Sequence, residues 1–133
     1  MATPRSTLQI RTSEDIVRVR QEVRARAIEA GLGLVDQTKI VTAASELARN
    51  TLEYGRGGEA RLEMLQDHGR RGLRIVFEDR GPGIPDIDQA LRDGFTTGKG
   101  MGLGLGGARR LCNEFNIVSA PGEGTRITIA RWK

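Results

Sequence analysis

At 133 residues, 38% of them apolar, the chain can build one hydrophobic core and hardly a second, so a single domain over 1–133 is expected. The net charge of +4 is carried by scattered arginines from Arg5 to Arg131, and the five aromatics (Tyr54, Phe77, Phe95, Phe115, Trp132) are too dispersed for a base-stacking surface, which argues against nucleic acid. No apolar run approaches the roughly 20 residues of a membrane span, and no apolar signal segment with a cleavage site stands near Met1, so a cytoplasmic protein is expected.

In chain order, residues 7–11 alternate weakly and read as an edge strand. Ser13 is placed to cap a helix whose first turn carries Glu14 and Asp15, charges that suit the positive end of the helix dipole. Ile16, Val19, Val23, Ala27 and Ala30 then recur at helical spacing, and Gly31 and Gly33 end the helix. A second helix starts near Val35, with Ile40, Ala44, Leu47, Thr51 and Tyr54 as its apolar stripe and Gly55 as its stop. From Ala60 the period changes to two, and strands around 60–64 and 73–78, with a turn at 67–72, read as a β-hairpin. His68 falls in that turn without a second His or a Cys to form a metal site, and is expected to be solvated. A Gly/Pro loop over 79–86 leads to a short helix at 87–92, then to seven glycines within 94–107. A helix over 108–114 and strands over 115–119 and 125–132 close the chain. Cys112, the lone cysteine, is expected inside that last helix as a small buried apolar side chain. Paired strands separated by helices predict an α+β sandwich, with helices layered on one face of a mixed sheet.

Three stretches carry chemistry. Glu46 and Asn50 are four apart on the second helix and so leave it on one face, a turn from each other, with Glu53 extending the same stripe. Asp79 ends a strand and enters Asp79-Arg80-Gly81-Pro82-Gly83-Ile84, where the glycines let backbone approach a flat ligand and the carboxylate can accept from an exocyclic amine. Gly98-Lys99-Gly100-Met101-Gly102-Leu103-Gly104 precedes a helix, so its N–H groups and the helix dipole suit a polyphosphate, with Lys99 adding a charge. Two look-alikes fail. Gly102, Gly104 and Gly107 fit the dinucleotide fingerprint, but no buried strand precedes them and no acidic residue ends a following strand. Residues 94–99 approach a Walker P-loop, but the spacing is one short and Gly100 stands where a hydroxyl should hold Mg²⁺.

Taken in order, Glu46-x-x-x-Asn50, Asp79-x-Gly81-x-Gly83, Gly100-x-Gly102-x-Gly104 and Gly124-Thr125 resemble the Bergerat nucleotide site of the GHKL superfamily, shared by gyrase, Hsp90, histidine kinases and MutL. The chain carries no dimerisation helix or phosphoacceptor His, which is similar to the serine-kinase branch that regulates sigma factors. Residues 45–50, 78–86, 93–97 and 122–125 resemble the RsbT-type switch serine kinases of the bacterial stressosome.

That resemblance implies an α+β Bergerat two-layer sandwich, ATP and Mg²⁺ as cofactors, and transfer of phosphate to serine. Asn50 would bind Mg²⁺ and Asp79 would accept from the adenine amine. Gly81, Gly83 and Ile84 would lie along the base, and Thr125 would support it through water. Gly100, Gly102 and Gly104 would offer backbone N–H groups to the phosphates, Lys99, Met101 and Leu103 would belong to the same nucleotide-binding stretch, and residues from about 87 to 99 would form the lid. Glu46 would orient or deprotonate the acceptor serine. The implied substrate is a STAS-domain protein of a stressosome, and the implied later partner is a PP2C-type phosphatase. The basic first helix, with Arg18, Arg20, Arg24 and Arg26, offers a surface for an acidic partner face. The chief alternative is an ATP-gated anti-sigma binding module with little turnover; a detached histidine-kinase catalytic domain is a further one.

Overall fold

The computed structural model describes residues 2–92 and 104–133. Nine elements run in order: β1 (Ala2–Ile10), α1 (Ser13–Glu29), α2 (Leu34–Glu53), β2 (Gly58–Asp67), β3 (Arg70–Asp79), α3 (Ile87–Ala90), α4 (Leu105–Arg110), β4 (Glu114–Ser119) and β5 (Thr125–Trp132). The strands form one sheet in the order β1-β2-β3-β5-β4. Helices on one side of it give the expected α+β two-layer sandwich. The expectation of a mixed sheet is corrected, because every neighbouring pair is antiparallel. The connections explain this. α1 and α2 form an out-and-back pair that returns the chain to the end of the sheet it left, so β2 must run against β1. β3 and β4 do share a direction, but β5 is inserted between them.

α1 begins one residue earlier than Ser13 suggested. Thr12 is the cap: its hydroxyl accepts from the Asp15 N–H at 3.4 Å, while the Asp15 carboxylate accepts from the Thr12 N–H at 3.0 Å, a reciprocal capping box. The arginines of this helix divide into two sets. Arg18 pairs with Asp15 at 2.7 Å, and Arg26 with Glu22 and Glu29 at 2.9 and 2.8 Å, whereas Arg20 and Arg24 stand exposed.

Alternation decides the two sides of the sheet. Ala60, Leu62, Leu73, Ile75, Phe77, Ile127 and Ile129 point to the helices and are 0–3% exposed, packed with Val19, Val23, Ile40, Ala44 and Leu47 at 0%. Truncating one of the larger of these side chains to Ala costs about 2–5 kcal/mol. The opposite side carries ion pairs across the strands, Arg61 with Glu78 at 2.9 Å and Arg74 with Glu63 at 2.9 Å.

The β2–β3 turn is tighter than the sequence indicates. His68 and Gly69 alone make it, with φ of 50° and 80°, the double left-handed geometry that matches strand twist in a two-residue hairpin. His68 is solvated as expected, its side chain 92% exposed.

The helix expected over 108–114 is also corrected: α4 ends at Arg110, and Glu114 already belongs to β4. Pairing with β5 wins over helical continuation here, since the Asn113 N–H donates to the Ala130 carbonyl at 2.9 Å and its side-chain oxygen accepts from the Trp132 N–H at 2.7 Å. Cys112 therefore lies past the helix, half-buried, and burial pushes its thiol up to about 11. Beside it Arg131 grips Asp36 at 2.7 and 3.1 Å and the Leu111 carbonyl at 3.1 Å, tying the start of α2 to the last strand. The helix expected at 87–92 shortens to α3, capped by the Asp86 carboxylate on the Gln89 N–H at 3.0 Å. Most of the glycine-rich stretch, with Lys99, Gly100, Met101, Gly102 and Leu103, lies outside the described residues, as does 93–99 of the expected lid.

Candidate functional site

α2 positions the first two groups. Its apolar stripe faces the sheet, which leaves Glu46 and Asn50 together on the adjoining edge, about 6 Å apart along the axis. Asn50 is 9% exposed, while the Glu46 side chain is 43% exposed and lies 3.5 Å from the Arg49 guanidinium. Gly104 closes one end of this edge. It caps α4 in the left-handed region, φ 67°, with its Cα against the Glu46 carboxylate, where a Cβ would stand 2.8 Å from an oxygen.

The other end is set by glycines. The Asn50 carbonyl accepts from the N–H groups of both Tyr54 and Gly55 at 3.0 Å, ending the helix with Gly55 against the Asp79 side chain. A Cβ on Gly55 would overlap the Asp79 carboxylate, and one on Gly81 would meet the Gly55 backbone. The end of α2 and the end of β3 thus meet at backbone distance.

Asp79 shares the strand parity of Leu73, Ile75 and Phe77, so its side chain turns to the helix side. It is 9% exposed and accepts from the Gly81 N–H at 2.9 Å through one carboxylate oxygen. Burial raises its pKa, against the opposing pull of the Gly81 and Thr125 N–H groups, and the neighbouring Glu78 charge raises it further. Among the described residues no cation pairs with it. A buried carboxylate in that condition has acceptor capacity to offer a ligand.

The loop after Asp79 is fastened by three hydrogen bonds. The Tyr54 hydroxyl donates to the Gly83 carbonyl at 2.9 Å, the Gly122 N–H to the Pro82 carbonyl at 2.7 Å, and the Ile84 N–H to the Ser119 hydroxyl at 2.8 Å. Gly83 itself has φ 77° and lies against the Ala120 carbonyl, a place no side chain can occupy. Ser119 also reaches the Gly124 carbonyl at 2.9 Å and the Thr125 hydroxyl at 2.8 Å. Thr125, 6% exposed, sits opposite Asp79 in register.

The structure therefore brings Glu46, Asn50, Asp79, Gly81, Gly83, Ile84, Gly104 and Thr125 to one end of the sandwich. A cavity of about 250 Å³ at this end is lined by Asp79, Ser119, Gly124 and Thr125 together with Glu78, Val118 and Arg126, whose strand parity puts them on the other face of the sheet. A larger one of about 730 Å³ opens on the side of the sheet away from the helices, between Gln9, Arg11, Arg56 and Arg80, and shares only Asp79 with the residues above. Glu46 and Asn50 belong to the helix side and line neither of these two cavities. Among the described residues no group of three or more His, Cys, Asp or Glu side chains is placed to hold a metal ion. Ser119, Tyr54 and Gly55 were not legible as site residues in the sequence; a single Ser ending a strand carries no pattern.

Residues 35–133 match the family described as histidine kinase-, DNA gyrase B-, and HSP90-like ATPase. The chain is 49% identical over 127 residues, 96% of each chain, to the serine/threonine-protein kinase RsbT of Bacillus subtilis (strain 168). It is 27% identical over 118 residues to the anti-sigma F factor of Thermoanaerobacter sp. (strain X514), covering 85% of this chain and 82% of that one. Among solved structures, one of RsbU and RsbW domains from Mycobacterium tuberculosis superposes with a TM-score of 0.64 at 23% identity, over 98% of this chain and 33% of that longer one. The catalytic domain of histidine kinase ThkA gives 0.52 at 16% identity, over 95% of each. These two likenesses concern the fold.

Proposed function

The chain belongs to the histidine kinase-, DNA gyrase B-, and HSP90-like ATPase family, and on that footing we propose that it works as a single ATP-binding domain, a serine/threonine-protein kinase acting on a partner protein. The observation that carries this reading is the run of groups from Gly104, set against Glu46, past Asn50 to the buried Asp79, which Gly55 at the end of the same helix touches. The near full-length identity of 49% with a protein named as a serine/threonine kinase supports it.

Nucleotide fits these residues. A buried carboxylate with no cation paired to it among the described residues suits the 6-amino group of adenine, and Gly81, Gly83 and Ile84 of the loop that follows it complete the base end of the site in this reading. Thr125 supports the base through water. Bound Mg²⁺·ATP supplies the phosphoryl group and the charge neutralisation that its transfer needs. Asn50 provides a side-chain oxygen for the metal, and Lys99, Gly100, Met101, Gly102, Leu103 and Gly104 hold the phosphates. Glu46, partly exposed at the mouth, accepts the proton of the incoming serine hydroxyl or aligns it. Such a reaction asks for positioning and electrostatics more than covalent chemistry, which a small domain can provide.

The substrate in this reading is a serine of a STAS-domain protein in a stressosome, and the released kinase then activates a PP2C-type phosphatase in a stress sigma-factor pathway. The place of action is the cytoplasm; no helix among the described residues is long and apolar enough to cross a membrane. The 27% identity with an anti-sigma F factor favours a second reading, an ATP-gated sigma-binding module. Incubation with γ-labelled ATP and STAS-domain proteins separates the two. Label on a serine of the STAS protein is expected; tight nucleotide binding without transfer would refute the kinase and leave the binding module.

A further inference from the structure

One row of side chains crosses the whole sheet on the side away from the helices. In register it runs Gln9 on β1, Glu59 on β2, Glu78 on β3, Arg126 on β5 and Val118 on β4. Strands about 4.8 Å apart make such a row roughly 19 Å long. It lies at the end of the sheet where the connections bring Arg11, Arg56, Arg80 and Glu123 together. The cavities of about 730 and 250 Å³ run along it and share Glu78, Asp79 and Glu123, so they form one continuous trough. Its charges do not balance. From the next row Arg61 already holds Glu78 at 2.9 Å and Glu59 at 3.6 Å. Arg11, Arg56, Arg80 and Arg126 are exposed, and among the described residues none of them has a carboxylate within ion-pair distance. With Arg61, five arginines thus stand against Glu59, Glu78 and Glu123, since Asp79 turns to the helix side. At the β4 end Val118, 50% exposed, adds an apolar foothold.

We propose that this trough is a docking site for an extended acidic segment of a partner protein. At about 3.3 Å per residue, some six residues span the row. Carboxylates of the segment meet the guanidiniums along the rim, and an apolar side chain next to the one that meets Arg126 covers Val118. Arginine suits the task, because its planar fork matches a carboxylate and is more weakly hydrated than an ammonium group. A small anion would engage one end of the row and leave Val118 uncovered. A second copy of the chain packed on this face would set one positive excess against another. Glu46 and Asn50 lie on the opposite side of the sheet, so the segment and a nucleotide can occupy the protein together.

The probe is a fluorescein-labelled hexapeptide of glutamates closed by a leucine, titrated with the full chain by fluorescence anisotropy at low ionic strength. Binding that weakens as salt is raised is expected, and a peptide with lysines in place of the glutamates should not bind. Arg56→Gly removes one charge at a φ of 62°, a conformation glycine adopts without strain, so a loss there does not come from misfolding. This variant and Arg126→Ala should each weaken the peptide about two- to fivefold, and the double variant by about the product. Mg²⁺·ATP should bind both variants as it binds the wild type, and should leave the peptide in place. No affinity at low ionic strength, or equal affinity in the wild type and the double variant, would overturn the proposal. Displacement of the peptide by Mg²⁺·ATP would assign it to the nucleotide site, and displacement by an equal concentration of inorganic pyrophosphate would make the trough a small-anion site; either result overturns it. So would self-association of the wild type that Arg126→Ala abolishes, which gives the row to a second copy. A wild type that binds the peptide but no nucleotide would strike the kinase reading and leave this site standing.

Discussion

Replacing Asp79 by Asn tests the base contact with little change in shape. One carboxylate oxygen is occupied by the Gly81 N–H at 2.9 Å, and the residue is 9% exposed. In the Asn variant the amide oxygen keeps the Gly81 contact, which turns the NH₂ group toward the ligand and sets donor against donor. A hydrogen bond to a charged group is worth about 1.5–3 kcal/mol, so ATP affinity should fall roughly 10- to 150-fold. Folding stability should move the other way. The folded-state pKa of Asp79 is raised, so its contribution to stability is fully present below the unfolded pKa and is lost as pH rises through the folded value. Above that folded value the ionised carboxylate costs stability, and there the neutral Asn variant should melt no lower than wild type. The same shift predicts that wild-type ATP affinity declines as pH drops through the raised Asp79 pKa, while the weak affinity of the variant stays flat. Calorimetric titration at several pH values, with a thermal melt of each protein, reads all three quantities. An Asn variant whose affinity lies within about threefold of wild type, well short of one charge-assisted bond, would refute the reasoning.

Three further outcomes are expected. Glu46→Ala should bind Mg²⁺·ATP with little change yet transfer no label to a STAS-domain protein, and undiminished phosphorylation would remove Glu46 from the chemistry. Asn50→Ala should weaken nucleotide binding in Mg²⁺ and leave it nearly unchanged in chelator; equal losses in both conditions would argue against metal ligation. Gly55→Ala forces a methyl group into the Asp79 carboxylate, so both the melting temperature and ATP affinity should drop, by about 1–3 kcal/mol in stability. A variant with wild-type melting and affinity would show that the α2 end and Asp79 do not meet as closely as described.

Much of this protein can be read from its residues in order. The period of 3.6 in Val19, Val23 and Ala27, and the period of two in Leu62 and Met64, fix which side of each element is buried, because burial of apolar area is local to the pattern. The spacing of Glu46 and Asn50 fixes their common face for the same reason, and Asp79-x-Gly81-x-Gly83 marks a turn that only glycines tolerate. Boundaries were less legible. In sequence Ser13 reads as the cap of the first helix, and the reciprocal bond with Asp15 puts the cap at Thr12 instead. The α4 end depended on Asn113 finding Ala130 across the sheet, a partner 17 positions away that no local propensity encodes.

Strand order, the wholly antiparallel pairing and the Ser119 junction were settled only by tertiary structure. Direction in the sheet follows from how many helices each crossover contains and from where β5 inserts, and these are properties of the whole path. Ser119 acquires its three partners from residues 84, 124 and 125, and the pKa of Asp79 is raised by burial that the glycine packing at Gly55 and Gly81 creates. Sequence determines which groups the chain carries and which face each takes along its own element. The electrostatics and hydrogen bonding of the site come from long-range contacts, because desolvation and hydrogen-bond partners are set by what packs around a group and not by its neighbours in the chain.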